Sequence, residues 1–154
     1  MKEYKNFALL SVLVLVVLAF SYGLTTSRVH APVSGADTDA PLTFEIVRTP
    51  EAHAKGLGRR AEIPHDYGML FVFQKADTYS FWMKDMLVPI DILWLHDDGT
   101  ILKIDREISP STYPSTTFSA PANVRLVLEL RAGEAQRHGW SVGDTIALPK
   151  DWQN

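Results

Sequence analysis

Residues 88–104 read Val88-Pro89-Ile90-Asp91-Ile92-Leu93-Trp94-Leu95-His96-Asp97-Asp98-Gly99-Thr100-Ile101-Leu102-Lys103-Ile104. Two apolar runs flank Asp97-Asp98-Gly99, and an Asp-Gly step supplies the positive φ that tight antiparallel turns need. The stretch predicts a β-hairpin, with Pro89 starting or interrupting its first strand. Asp91 falls inside that strand, on the same face as Leu93 and Leu95 by strand parity. A carboxylate there is partly desolvated, so it must be paired or hydrogen-bonded, or its pKa rises. It is either a general acid or base, or a structural acceptor for loop N–H groups or an arginine. The structural role is favoured.

Working outward, Leu42 to Arg48 alternates apolar and polar, as a half-exposed strand does. Thr49-Pro50-Glu51 reads as a helix start, with Thr49 as cap, and a short helix over 51–55 ends at Gly56. Gly68-Met69-Leu70-Phe71-Val72-Phe73 is apolar throughout and predicts a central strand. Tyr79 to Met83 is another. Ser109 to Pro121 is a long Ser/Thr/Pro-rich surface loop. Val124 to Leu130 is a strand, Ala132 to Arg137 a short helix stopped by Gly139, and Thr145 to Leu148 a closing strand. The class is mainly β (α+β), a compact antiparallel or mixed, barrel-like sheet with two short helices over residues 42–151.

The N-terminus has a different composition. Lys2 and Lys5 precede Phe7 to Leu24, eighteen residues without a charge. At ~1.5 Å per residue the run spans about 27 Å, close to a bilayer's hydrocarbon thickness. Its apolar residues lie on all sides, and positive charge stands mainly on its leading side. Residues 1–24 are therefore expected to form a hydrophobic helix that leaves the N-terminus in the cytoplasm and the domain outside, as a retained anchor or a signal peptide. Pro32 after Val29-His30-Ala31 disfavours cleavage there. Residues 25–41, with Pro32, Ser34, Gly35, Asp37, Asp39 and Pro41, read as a flexible linker.

The chain has no cysteine, which removes disulfides, thiolate metal sites and a cysteine nucleophile. From Thr25 onward 13 Lys/Arg face 17 Asp/Glu, with no basic stripe, so nucleic acid is not an expected partner. G-x-S-x-G, H-E-x-x-H, phosphate-loop and dinucleotide fingerprints are missing. His96-Asp97-Asp98 looks like a ligand cluster on paper, but the turn accounts for its acids. Neither metal nor cofactor is expected.

Lys84, after Phe81-Trp82-Met83, could hold an anionic ligand beside an aromatic wall or be solvated next to Asp85. Arg60 could bind a carboxylate or pair with Asp91 or Glu129, and the pairing is favoured. The aromatic set Phe71, Phe73, Phe81, Trp82 and Trp94 reads as core before ligand box.

Several ordered segments resemble the DUF192 family, a domain of unknown function found in bacteria and archaea. They are Gly56-Leu57 with Arg60, Gly68 to Phe73, Ser80-Phe81-Trp82-Met83-Lys84, and Pro89-Ile90-Asp91-Ile92. Asp98-Gly99, Val127-Leu128-Glu129-Leu130 with Ala132-Gly133, and Val142-Gly143-Asp144 complete the set. The resemblance covers Phe44 to Leu148 and implies a compact, mainly β domain, often behind a signal or anchor segment, without an established activity. Arg60, Lys84, Asp91 and Glu129 match the pattern and, with Trp82, are the candidates for a ligand site. Gly58 stands where the family usually has Met, and Asp85-Met86 where it usually has Asn-Thr; if that Asn-Thr pair forms part of a binding site, this member is expected to bind differently or not at all. The expected function is a binding or accessory module near the membrane, for a small molecule or an envelope protein. An envelope enzyme using Asp91, such as a hydrolase, and a structural or assembly role are the alternatives.

Overall fold

The computed structural model describes residues 41–154, so the helix read over 1–24 and the linker before Pro41 lie outside the described residues. Seven strands are present among the described residues: β1 (Thr43–Val47), β2 (Tyr67–Asp77), β3 (Ser80–Phe81), β4 (Ile90–Leu95), β5 (Ile101–Ile108), β6 (Phe118–Ser119) and β7 (Val124–Arg131). Helix α1 (Pro50–Lys55) follows β1, and α2 (Glu134–Arg137) follows β7. Among the described residues no helix is long and apolar enough to cross a membrane.

Five strands form one mixed sheet in the order β1-β2-β7-β4-β5, with β1 parallel to β2 and every other pairing antiparallel. Its edges, β1 and β5, do not pair, so the sheet is open where a barrel-like closure was expected. The physical reason lies in two segments. Thr145 to Leu148 forms no strand: Thr145 makes a single bridge to Thr100, and Ile146 adds one N–H bond to the Gly99 carbonyl at 3.0 Å and a buried side chain. Strands β3 and β6 separate into their own two-stranded sheet. Strand β6 and a 3-10 turn over Pro110–Thr112 also break up the loop predicted over 109–121.

Alternation along the central strands sorts the core into two layers. Met69, Phe71, Ile90, Ile92, Trp94 and Val127 face one side, where Leu57, Ile63, Met83, Met86 and the β3–β6 sheet cover them. Leu70, Val72, Leu93, Leu95, Leu126, Leu128 and Leu130 face the other, under Ala135, Ile146 and Trp152. The run Gly68 to Phe73 is apolar without alternation because β2 is buried on both faces. Gly68 fits closely: a Cβ there would lie 2.7 Å from Leu128 Cδ1 and 2.8 Å from Leu130 Cδ2, so both leucine ends would have to shift.

The hairpin forms as predicted, with Gly99 at φ +86° and the Thr100 N–H donating to Asp98 Oδ1. Asp91 is fully buried on the face of Leu93 and Leu95. It sits opposite a β-bulge, because Ile90 pairs with Ile108 while Ile92 pairs with Asp105. Glu107, at φ +50° in that bulge, donates its N–H to Asp91 Oδ1 at 2.7 Å, and the Ala135 N–H at the start of α2 donates to Oδ2 at 3.0 Å. One carboxylate thus ties a bulge and a helix start to the middle of the sheet.

Asp91→Ala leaves both buried N–H groups without acceptors, and each such orphan costs about 1–3 kcal/mol. Urea unfolding is expected to show a loss of roughly 3 kcal/mol or more; a loss below about 1 kcal/mol would contradict this account.

Candidate functional site

On the first face of the sheet the packing is incomplete. Between α1 and the β3–β6 sheet lies a cleft of about 240 Å³. Its lining comes from three places. Helix α1 and the turn after it supply His53, Lys55, Gly56 and Leu57; the segment from Phe73 to Met86 supplies Phe73, Tyr79, Phe81, Trp82 and Lys84; strand β7 supplies Glu129.

The walls are aromatic, and their geometry is that of a packed cluster. Phe73 stacks on Tyr79 with centroids 3.6 Å apart, and His53 lies 4.5 Å from Phe73. Phe81 meets Phe71 and Trp94 edge-on at 4.9 and 5.4 Å, which anchors the wall in the core. His53 is oriented by a 3.0 Å contact between Nε2 and the Val47 carbonyl. Trp82 is 56 % exposed and stands at the rim, with Tyr113 set against it at 6.2 Å.

The floor is a carboxyl group. Glu129 shares the β7 face of Val127, flanked by Met69 on β2 and Ile92 on β4, and is only 5 % exposed. Its Oε2 accepts the Leu57 N–H at 3.3 Å, and Oε1 has no hydrogen-bond partner among the described residues. Burial pushes its pKa up to about 7, against the opposing pull of that N–H and of the Arg60 charge. Gly56 makes room for it. The Gly56 backbone, at φ +49° and ψ −140°, occupies a region glycine alone adopts readily, and a Cβ there would approach Oε2 to 3.2 Å.

Two cations line the mouth. Lys55, at the end of α1, and Lys84, after β3, are exposed and make no ion pair among the described residues. Both also line a second hollow beside the cleft, with Gly58, Arg59 and Asp85. Here the two loops are clasped: the Arg59 N–H donates to the Asp85 carbonyl at 2.8 Å, and Arg59 Nη2 bonds Asp85 Oδ2 at 3.3 Å. Both residues have positive φ, +64° and +59°, so the clasp is a backbone arrangement as well as an ion pair.

The structure brings three of the five sequence candidates together, Trp82, Lys84 and Glu129. The other two lie outside the cleft. Arg60 pairs neither with Asp91 nor with Glu129; it donates to both oxygens of Glu45, at 3.1 and 2.9 Å, and to Tyr67 Oη at 2.7 Å. Glu45 on β1 and Tyr67 on β2 are already hydrogen-bonded to each other, so the guanidinium completes a surface network. Asp91 lies on the opposite face of the sheet with both oxygens engaged, which leaves no room for an acid–base role at the cleft. Sequence reasoning missed Lys55 and His53 as site residues. Their only signal was a helix ending one residue before the glycine at 56.

A second polar cluster involves Asp66, Glu134 and His138, whose ligating atoms lie within 4.8 Å of one another. The guanidinium of Arg137 bonds both Asp66 and Glu134, and His65 Nδ1 meets Glu134 Oε2 at 2.9 Å. Burial raises the Glu134 pKa, but the bonds from Arg137, the Asp66 N–H and His65 outweigh it and hold the group down at about 2. An arginine already supplies the positive charge a metal would bring, so the cluster reads as a structural ion-pair network.

Among curated proteins nothing matches the chain. Two crystal structures are similar to it. One, from Sinorhizobium meliloti and described as a "putative transcription regulator", is 36 % identical, with a TM-score of 0.64 over 68 % of this chain and 79 % of that one. The other, a protein of unknown function from Novosphingobium aromaticivorans, is 30 % identical, with a TM-score of 0.65 over 77 % of this chain and 90 % of that one. The model of the DUF192 family, described as "Uncharacterized ACR", matches residues 32–148. With the family model spanning most of its length, the chain belongs to the DUF192 family.

Proposed function

We propose that this protein is a membrane-tethered binding or accessory module whose ligand is a small molecule held in the aromatic cleft. The observation that carries the reading is the cleft's composition. Aromatic side chains that could close the core instead surround about 240 Å³ of open space, with two lysines at its mouth that form no ion pair among the described residues. Ligand sites are concave, largely apolar, and carry a few convergent polar groups. The volume lies just below the usual ~300–1,000 Å³ of drug-sized sites, so the ligand is small. Lys84 and Lys55 select for an anionic group on it, and Trp82 offers a half-exposed face for its body.

The tether rests on the uncharged run Phe7 to Leu24 behind Lys2 and Lys5, which supports a domain on the outer face of a cytoplasmic membrane. Nucleic acid is not the proposed partner, because an excess of acidic residues beyond Thr25 opposes phosphate contact. The regulator description stays with the Sinorhizobium protein.

A thermal-shift screen of small anionic and amphipathic compounds is expected to give hits whose stabilisation falls at least about tenfold in apparent affinity in Lys84→Ala. A screen without hits, or hits indifferent to Lys84→Ala and Trp82→Ala alike, would refute the site. For the tether, a reporter active only in the cytosol, fused after Asn154, is expected to stay dark in intact cells; a bright signal would refute the outward placement.

Glu129 gives a pH test of the floor. Its folded pKa lies above the ordinary carboxyl value, so the folded state holds the proton more tightly than the unfolded chain does. The resulting stabilisation is complete below about pH 4.5 and is lost as pH rises toward 7, by up to about 3 kcal/mol. The difference in unfolding free energy between the native chain and Glu129→Gln is expected to carry this slope. A difference that stays flat from pH 4.5 to 7.5 would place Glu129 in contact with water.

A further inference from the structure

We propose that the cleft takes a small zwitterion, with its ammonium group set inward against Glu129 and its carboxylate or phosphate outward at Lys55 and Lys84. The inference rests on the cleft being a ligand site and specifies the chemistry it selects.

The charges in the cleft are separated by depth. The acid lies at the floor, 5 % exposed, on the rigid central strand β7. The two lysines are exposed at the mouth, and neither forms an ion pair with the acid. Had either lysine reached Glu129, the site would neutralise itself. Instead an acid that becomes a negative pole on losing its proton lies beneath two cations.

The floor also has an unused bonding capacity. Glu129 Oε2 is engaged by the Leu57 N–H, while Oε1 has no partner among the described residues, although the residue is almost wholly buried. Among the described residues no fully buried side-chain oxygen lacks a partner, so Oε1 opens onto the cleft and can take a donor from whatever fills it. An ammonium group brings up to three donors and a matching charge.

The walls favour the same orientation. Phe73, Tyr79, Phe81 and Trp82 present ring faces and edges between floor and mouth. Ring faces attract a cation and offer little to an anion. An anion driven inward would meet Glu129, so it stays at the lysines. Because Glu129 keeps its proton up to about neutral pH, an arriving ammonium displaces that proton. Binding is therefore coupled to proton release.

The test is titration calorimetry on the full chain in detergent micelles at pH 7, in two buffers of different ionisation enthalpy. Phenylalanine and phosphoethanolamine are the zwitterionic probes; 3-phenylpropionate and phenethylamine carry only one charge each. At least one zwitterion is expected to bind about tenfold more tightly than either single-charge probe, with proton release, and more tightly at pH 8 than at pH 6. Glu129→Gln is expected to weaken it about tenfold and abolish the proton release, and Lys84→Ala to weaken it without altering proton release. Glu129→Asp keeps the charge and is expected to restore part of the release, which separates charge from folding effects. Vesicles of phosphatidylethanolamine against soluble phosphoethanolamine distinguish a lipid headgroup from a free solute. If 3-phenylpropionate binds as tightly as the zwitterions and still depends on Lys84, the ligand site stands and the zwitterion falls. Zwitterion binding unaffected by Glu129→Gln also overturns it, and if no probe binds and the wider screen is empty, both readings fall.

Discussion

Strand β7 runs between β2 and β4 in a sheet packed on both faces, so each of its interior side chains enters a closed layer. The strand meets that constraint with Leu126, Val127, Leu128 and Leu130, and departs from it once, at Glu129. A carboxyl in such a layer must be neutralised, bonded or given access to solvent. Here it receives one N–H, from Leu57, and a cavity opens in front of it. The turn after α1 is shaped around it, with Gly56 in a conformation other residues resist. The aromatic wall is packed against the same space. The cleft is thus what the layer becomes when one of its central residues is an acid.

The other buried acid shows the contrast. Asp91 is one strand away on the opposite face, yet both its oxygens are bonded by backbone N–H groups. Nothing is left over for a ligand, and its place is structural. Glu134, the third buried acid, is bonded by Arg137, His65 and the Asp66 N–H. Three acids of similar burial therefore have three fates, decided by how many donors the surrounding backbone and side chains supply. Only Glu129 retains an open oxygen.

Much of the fold was legible in the sequence, and much of the site was not. The β4–β5 hairpin could be read because Asp98-Gly99 and the flanking apolar runs are local signals. Thr49-Pro50 marked the start of α1 for the same reason. Strand β6 was hidden, because Phe118-Ser119 sits in a Ser/Pro-rich stretch and pairs only with distant Ser80-Phe81. The closing strand at Thr145 to Leu148 was over-read: its apolar pattern serves side-chain burial over the sheet, and its backbone meets the chain only around Gly99 and Thr100, too briefly to form a strand. The cleft unites residues 53–57, 73–86 and 129, and no local spacing links them. Family resemblance singled out Lys84 and Glu129, while the partner of Arg60 depended on β1 lying parallel to β2, a pairing no short motif encodes.

The clasp of Arg59 and Asp85 bears on how this lineage can diversify. Its two left-handed residues fix the loops through backbone geometry, so the exposed side chains of Lys55, Trp82 and Lys84 at the mouth can change without disturbing the layers beneath. Of the three places where this chain departs from the pattern it resembles, Gly58 and the clasp residue Asp85 line the hollow, while Met86 lines the cleft and also covers the sheet. Selectivity can therefore evolve at the entrance while the scaffold stays constant, much as a lock keeps its case when the wards are recut.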